Sequence, residues 1–187
     1  MRQLARRARV HVFEADLFWK KLQAKPKSDT FFILGSGSSV NELSAHNFEE
    51  MGRNYAVGIN NWGIHPFVPD IYSLDSVPWV GDGQNFRRSL DLLHRADIVA
   101  AQPQLLTVRL SNPVELQHLN TLPQELKSGV HFYGRVTPAT REVRNLRGDL
   151  SRTVKMLQTE YSSVVVDSGA SVVRMVSIGL ALGFGKI

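Results

Sequence analysis

Apolar residues in this chain occur in short runs that polar, glycine-containing or proline-containing segments separate. A short uninterrupted apolar run is typical of a strand covered on both faces, whereas apolar residues three or four positions apart indicate a helix. On this basis we predict strands at residues 31–34, 55–60, 71–75, 97–102, 130–134 and 162–167. Helices are predicted at residues 40–51, 85–95, 137–161 and 171–182, the last of them ended by Gly183.

Strands and helices alternate along most of the sequence, and this order predicts the fold class. We expect an α/β, Rossmann-like domain in which helices flank a mostly parallel sheet. Residues 103–128 contain three prolines and no clear period, so no element is predicted there. Gly185-Lys186-Ile187 resembles the entry to a further strand, which predicts either a very short last strand or a domain truncated at its C-terminus.

The composition fits a single folded domain and is compatible with a reducing compartment. The chain has 187 residues, of which 43% are hydrophobic, and it contains no cysteine. A chain of this kind buries a substantial core and has no disulfide framework or thiolate metal site. Because no apolar run approaches the roughly 18 residues that a membrane span requires, we expect a cytoplasmic protein.

Positive charge is concentrated at the N-terminus. Residues 1–28 hold eight Lys or Arg and two acidic residues, a net charge of +6, which leaves 14 basic and 15 acidic residues, or −1, for residues 29–187. This near-neutral domain argues against nucleic acid as a partner. Two interpretations of the basic amphipathic segment 1–28 stay open. In the first, it contacts the inner face of a membrane peripherally, through Val10, Phe13, Leu17 and Phe18. In the second, it packs Leu4, Phe13, Leu17 and Leu22 on the domain formed by residues 29–187.

A loop of small residues, Gly35-Ser36-Gly37-Ser38-Ser39, follows the first predicted strand. In an open α/β sheet, ligands bind outside the carboxyl ends of the strands, where this loop would lie. Glycine lets a ligand approach the backbone, and serine hydroxyls together with N–H groups at a helix start hold phosphate oxygens. The spacing is neither that of a P-loop nor the full G-x-G-x-x-G motif. The sequence therefore predicts a phosphate-binding loop of another kind, and the alternative is a tight turn that binds nothing.

Three stretches of the chain together resemble two related protein families. They are F-I-L-G-S-G-S-S with Asn60 after the next strand, P-D-I-Y-S-L-D, and the tail D-S-G-A-S-V-V-R-M-V-S-I-G-L-A-L-G-F-G-K-I. They resemble the bacterial sialyltransferases of glycosyltransferase family forty-two, which use CMP-sialic acid, and the MptE-like family, which is named for a 6-hydroxymethylpterin diphosphokinase. The resemblance covers residues 31–76 and 167–187 and leaves residues 77–166 unmatched.

The resemblance implies a nucleotide site at the carboxyl edge of the sheet. The residues that it assigns to the ligand are Gly35, Ser36, Gly37, Ser38 and Ser39 for the phosphate, Asn60 for the phosphate or ribose, Asp75 for a further polar contact, and Ser168 and Gly169 for the base or sugar. Ser36 and Ser38 depart from the Asn and Pro that are usual in these families.

These assignments imply a glycosyltransferase-like function. The domain would bind a nucleotide-activated sugar, with a CMP-sugar favoured, and would transfer the sugar to a glycan or glycolipid acceptor without a required metal cofactor. Two alternatives stay open. One is a diphosphokinase of the MptE-like kind, which would use ATP and Mg²⁺, and the other is a truncated domain without catalytic activity.

The histidines supply one candidate for a catalytic residue. No two of the six have H-E-x-x-H spacing, and no metal site is predicted. His65 follows Asn60 and Asn61 closely enough to reach a ligand, and a histidine can act as general base near neutral pH. His65 is therefore a candidate general base, and a surface role is the alternative.

Overall fold

A computed structural model describes residues 18, 20, 22, 28–75, 84–108, 117–133, 135–136, 165–166 and 171–187 of the chain. Its centre is a five-stranded sheet in which all neighbouring strands are parallel. The strands are β1 (Phe31–Leu34), β2 (Tyr55–Ile59), β3 (Ile71–Leu74), β4 (Gln104–Val108) and β5 (Val130–Tyr133), and they lie in that order across the sheet. With helices on the sheet, the predicted α/β, Rossmann-like fold is confirmed.

Helices and short strands complete the described part of the chain. The α-helices are α1 (Ala45–Arg53), α2 (Gln84–Leu92), α3 (Ala96–Ala101), α4 (Gln124–Lys127) and α5 (Ser171–Ala181). Two 3-10 helices, Ser38–Glu42 and Asn60–Ile64, follow β1 and β2. A separate parallel pair joins β6 (Arg135–Val136) to β7 (Val165–Val166). No helix in the described ranges is long and apolar enough to cross a membrane.

The strands are mostly apolar because both faces of the sheet are covered, and Ser73, Thr107 and His131 are buried polar exceptions. All five residues of β2 and all four residues of β3 are buried. One face packs against the buried residues of α1 to α4, and the opposite face packs against α5. Continuous apolar runs are what a doubly covered parallel sheet requires, which explains why these strands could be recognised in the sequence.

The order of the strands reverses at β1. From β1 to β5 each strand lies beside its predecessor, but the chain then returns to the other side of β1, where Lys186 forms a parallel bridge with Thr30. The N–H of Phe31 donates to the carbonyl oxygen of Lys186 at 2.9 Å. The strand entry predicted at residues 185–187 is therefore present. The carboxyl end of β1 becomes a topological switch point, where open α/β sheets form their ligand crevice.

The predicted strand at residues 97–102 is wrong. These residues belong to α3 and to its end at Gln102, whose φ of 50° is left-handed. Ile98 is the buried residue of this helix, so the short apolar run covers one side of a helix instead of crossing the sheet. A run of this length fits either element, and its alanines favour the helix. The fourth strand is β4, which lies in the proline-containing stretch for which the sequence predicts no element.

The helix predicted at residues 40–51 is divided into two. The first 3-10 helix ends at Glu42, and α1 begins after Ser44. The hydroxyl of Ser44 accepts a hydrogen bond from the N–H of Asn47 at 3.3 Å, and the Asn47 side chain accepts one from the N–H of Ser44 at 2.8 Å. This reciprocal capping box starts a new helix at Ala45.

The remaining predicted elements are confirmed wherever the structure describes them. β1, β2, β3, β5, α2 and α5 lie within or close to their predicted ranges, and Gly183, with a φ of 83°, follows the end of α5 as predicted. The predicted helix at residues 137–161 lies outside the described residues. Of the predicted strand at 162–167, the structure describes β7.

The N-terminal segment contributes to the core through two of its described residues. Phe18 is fully buried and Leu22 is 5% exposed, and both belong to the core on the α5 face of the sheet. This part of the segment therefore packs on the domain, and the Phe18 side chain is not on the surface.

Close packing over β2 generates a stability prediction. A methyl group added at Gly58 would lie 2.5 Å from the ring of Trp62, which is itself buried. We expect Gly58→Ala to lower the free energy of unfolding by about 1–3 kcal/mol, as overpacking of a core does. Gly52 lies in α1 with open space around it, so Gly52→Ala should raise the same quantity by roughly 0.5–1 kcal/mol. Urea unfolding of both variants measures the contrast, and equal stabilities would contradict the packing described.

Candidate functional site

A cleft opens at the carboxyl edge of the sheet, beside β1. Its volume is about 350 Å³, within the usual range for small-molecule sites. The first wall of the cleft consists of Ser36, Gly37, Ser38, Val40 and Asn41, and the second wall consists of Asn61, Trp62, Ile64, His65 and Pro66. The first wall follows β1 and the second follows β2, so the two walls are set by the parallel pairing of these strands, in which Leu34 lies opposite Gly58.

The fold does not require glycine at Gly37. Its backbone is extended, with φ −73° and ψ 159°, and an added Cβ would have only the hydroxyl oxygen of Ser39 within 4 Å, at 3.9 Å. The loop around it is exposed to solvent. Neither backbone conformation nor packing therefore explains this glycine. Its lack of a side chain leaves the backbone at this point of the cleft open to a ligand.

The backbone of the second wall is held in place by Arg95. Its guanidinium donates to the carbonyl oxygen of Gly63 at 2.7 Å, to that of His65, and to that of Pro66 at 3.3 Å. It also pairs with the carboxylate of Asp97, and this hydrogen bond holds the pKa of Asp97 below its ordinary value. The charge of Arg95 is thus directed at the backbone of the wall and at Asp97.

His65 is fixed in the second wall by its ring packing and by one ring nitrogen. Its ring lies 4.8 Å from the ring of Trp62 and 4.7 Å from that of Phe48, between centroids. The N–H of Phe67 donates to Nδ1 at 3.0 Å, so Nδ1 carries no proton and the neutral ring carries it on Nε2. Burial and the nearby charge of Arg95 lower the pKa of His65, which favours this neutral form. With Nδ1 engaged and Nε2 protonated, neither nitrogen is poised to accept a proton as a general base.

Asp75 and Asn60 join the ends of β2 and β3. The N–H of Asp75 donates to the side-chain oxygen of Asn60 at 3.2 Å. Asn60 has a φ of 54°, a left-handed conformation that asparagine tolerates better than most residues. The two residues that the resemblance brings to this edge are therefore in direct contact, and Asn60 has a structural reason to be asparagine.

A buried ion pair connects this edge to α5. Arg174 Nη2 lies 2.5 Å from Asp75 Oδ2, and the two side chains are only 6% and 9% exposed. The Ser171 hydroxyl also bonds to Asp75 Oδ2 and lies 2.8 Å from Arg174 Nη2. A buried carboxylate is tolerated only when it is paired in this way, so Arg174 and Ser171 compensate the burial of Asp75 and hold its side chain in place.

Two other side chains with possible chemical roles have mainly structural ones. His131 is buried on β5 and lies 3.0 Å from the Gln104 side chain, between Nε2 and Oε1. Trp62 lines the cleft, but it is 1% exposed and donates from Nε1 to the carbonyl oxygen of Phe67 at 3.0 Å, so it serves mainly as core. Ser168 and Gly169 lie outside the described residues. In the described ranges, no group of three or more His, Asp or Glu residues is arranged to hold a metal ion.

The sequence interpretation missed Arg174, Ser171 and Arg95. One signal for Arg174 was present: a charged residue in the middle of the apolar stretch Val172 to Val176 requires a buried partner. No local pattern, however, identifies that partner as Asp75. Arg95 lies in a turn between two helices, where arginine is usually solvated, and its contacts with the second wall depend on the fold.

The chain matches no protein-family model, no curated protein sequence and no solved structure. The fold therefore rests on the structure itself, and the function has to be derived from the chemistry of the cleft and of the sheet edge.

The buried ion pair leads to a prediction about stability. We expect Arg174→Met to lower the free energy of unfolding by about 3–5 kcal/mol, because Asp75 would stay buried without its cation. Arg53→Met is the matched control, since Arg53 makes an exposed pair with Glu49 at 3.9 Å, and it should cost less than about 1 kcal/mol. Urea unfolding separates the two. The double variant Asp75→Asn/Arg174→Met should be more stable than Arg174→Met, and the reverse order would contradict a buried charge pair.

His65 leads to a prediction about pH. Its pKa in the folded state is lower than the value of about 6.5 in an unfolded chain. The unfolded chain therefore takes up the proton first, and the stabilisation linked to His65 is fully present above a pH of about 6.5 and is lost as the pH falls through the folded pKa. Between about pH 8 and about pH 5 the wild type should lose more unfolding free energy than His65→Phe, which has no titrating ring. Equal losses in urea unfolding would show that the His65 pKa is not lowered.

Proposed function

We propose that this domain binds a nucleotide-activated sugar in the cleft, with a CMP-sugar favoured, and transfers the sugar to a glycan or glycolipid acceptor. The observation that carries the proposal is the position of the cleft. It lies at the carboxyl edge of a parallel sheet, between the segments that follow β1 and β2. Ligands of open α/β domains bind outside the carboxyl ends of the strands.

The first wall is suited to the phosphate of such a donor. Gly37 leaves its backbone open to the cleft, and Ser36 and Ser38 offer hydroxyl groups on either side of it. The first N–H groups of the following 3-10 helix have no partner within that helix. These donors would stabilise the negative charge that grows on the phosphate as it leaves.

The reaction would be a direct displacement at the anomeric carbon of the sugar. The acceptor hydroxyl oxygen forms a bond to that carbon while the bond from the carbon to the phosphate oxygen breaks. The nucleotide leaves with the bonding electron pair, and the proton of the acceptor hydroxyl passes to a base or to solvent. The residues of the first wall act on the leaving group.

The charge of the cleft favours a donor with a single phosphate. None of the described residues that line the cleft carries a formal charge. A CMP-sugar presents one phosphodiester with one negative charge, which hydroxyl and N–H donors can hold. ATP presents several negative charges, which normally require cationic side chains or Mg²⁺. The diphosphokinase alternative is therefore less well supported by the lining.

Calorimetry with CMP, CDP, UDP, GDP and ATP, each with and without Mg²⁺, tests the proposal. We expect CMP to bind without Mg²⁺, because the lining suits one negative charge. Binding of ATP that requires Mg²⁺, together with no binding of CMP, would select the diphosphokinase alternative. The absence of binding by all five nucleotides would overturn the enzymatic proposal and favour a non-catalytic domain.

A side chain at Gly37 should close the phosphate position. The extended backbone and the open space accept leucine without strain, so Gly37→Leu should fold normally. We expect it to weaken CMP binding at least about tenfold, the loss of roughly 1.4 kcal/mol of contact with the phosphate. Gly52→Leu places the same side chain in open space on α1 and should leave binding unchanged. Unchanged CMP affinity in Gly37→Leu would show that the loop of residues 35–39 does not bind the phosphate.

A further inference from the structure

The polar groups of the cleft share one chemical property: each can form hydrogen bonds while remaining neutral. They are the hydroxyls of Ser36 and Ser38, the carboxamides of Asn41 and Asn61, and the imidazole of His65. Hydroxyls and carboxamides both donate and accept hydrogen bonds, as the hydroxyl groups of a sugar do. Outside the phosphate position at Ser36 and Ser38, the described lining is therefore complementary to a group that is rich in hydroxyls, and it offers no cation to a charged one.

The second wall also offers apolar surface beside these polar groups. Ile64 is 71% exposed, which is unusual for a large aliphatic side chain, and Pro66 next to it along the wall is exposed as well. Ligand pockets are commonly lined by apolar side chains with a few polar groups among them. A sugar ring has a similar division, with hydroxyl groups around its edge and C–H groups on its faces.

His65 can contribute in only one way in the geometry described. Two aromatic rings pack against it, and Nδ1 is occupied by the N–H of Phe67. Nε2 bonds to none of the described residues, although His65 lines the cleft. The Nε2–H group is thus a donor whose proton is fixed on it by the hydrogen bond at the other nitrogen.

Among the described residues, the charged side chain that contacts the second wall is Arg95, and it does not line the cleft. The Arg95 guanidinium is engaged by the carbonyl oxygens of Gly63, His65 and Pro66 and by the Asp97 carboxylate. These contacts compensate the charge of Arg95, which is not among the residues that line the cleft. The cleft side of the wall keeps its neutral character.

We infer that the second wall takes an uncharged saccharide ring and that His65 donates a hydrogen bond to one of its oxygens through Nε2. The inference rests on the proposed function, and it states that the sugar of the donor is neutral and that His65 is a binding residue and not the general base. Sialic acid, whose carboxylate is charged, would then be a poor fit.

Saturation-transfer NMR tests the inference with methyl glycosides as probes. The neutral probes are those of glucose, galactose and N-acetylglucosamine, and the charged probe is that of N-acetylneuraminic acid, each with and without saturating CMP. We expect at least one neutral glycoside to bind, with an affinity that is the same at about 20 mM and about 300 mM NaCl, because no ionic contact is involved. Binding of the charged glycoside alone would overturn the inference.

Variants of His65 test its role as a donor. His65→Phe keeps the aromatic ring and should weaken binding of the neutral glycoside about fivefold, the effect of one hydrogen bond, whereas His65→Gln keeps a donor and should weaken it less. Nitrogen NMR of the wild type should show the proton of the neutral His65 ring on Nε2. A proton on Nδ1, or equal affinities of wild type and His65→Phe, would contradict the inference.

The outcomes separate this inference from the proposed function. If CMP binds and no neutral glycoside does, even with CMP present, the inference fails and the nucleotide site stands. If a neutral glycoside binds in a manner that depends on His65 while no nucleotide binds, the proposed transferase fails and the saccharide site stands. If neither class of probe binds, both are overturned.

Discussion

Burial of the parallel strand ladder on both faces is the constraint on which the rest of the structure depends. β2 and β3 are buried along their whole length, so their side chains have to be apolar or small. Polar side chains that can reach solvent are consequently found where the strands end, and the carboxyl ends share one edge because the strands are parallel. The cleft, Asn60 and Asp75 all lie along that edge for this reason. The residues that could bind a ligand and most of the residues that form the core therefore occupy different parts of the structure.

The edge is held by two polar anchors with different origins. Arg95 supports the second wall of the cleft through backbone carbonyls, so it fixes the path of the chain whatever side chains are present there. The pair of Asp75 and Arg174 instead connects the end of β3 to α5, across residues that are 99 positions apart. The first anchor shapes the cleft, and the second fixes a helix that covers the opposite face of the sheet from α1 to α4.

Much of the fold could be predicted from sequence because its signals are local. The apolar runs of β1, β2 and β3, the helical spacing of α5 and the glycine after it each lie within a few residues. The strand predicted at residues 97–102 is wrong because a short apolar run fits a buried strand and a buried side of a helix equally well. For the site, the loop at Gly37 and the approach of Asn60 to Asp75 were within reach of sequence, whereas Arg174 was not assigned to Asp75. No local sequence pattern indicates a contact between residues that are far apart in the chain. The tautomer of His65 depends on the N–H of Phe67, which reaches Nδ1 only in the folded turn.

The bridge between Thr30 and Lys186 has a consequence for how the protein is made. During synthesis β1 emerges early, while the segment that pairs with its outer edge emerges only after residue 186. Until then the nascent chain presents an unpaired strand edge, and such edges recruit other chains. The same closure joins residues far apart in sequence, which slows folding. The interval between the emergence of β1 and its closure is therefore the period in which a chaperone would be of most use to this protein.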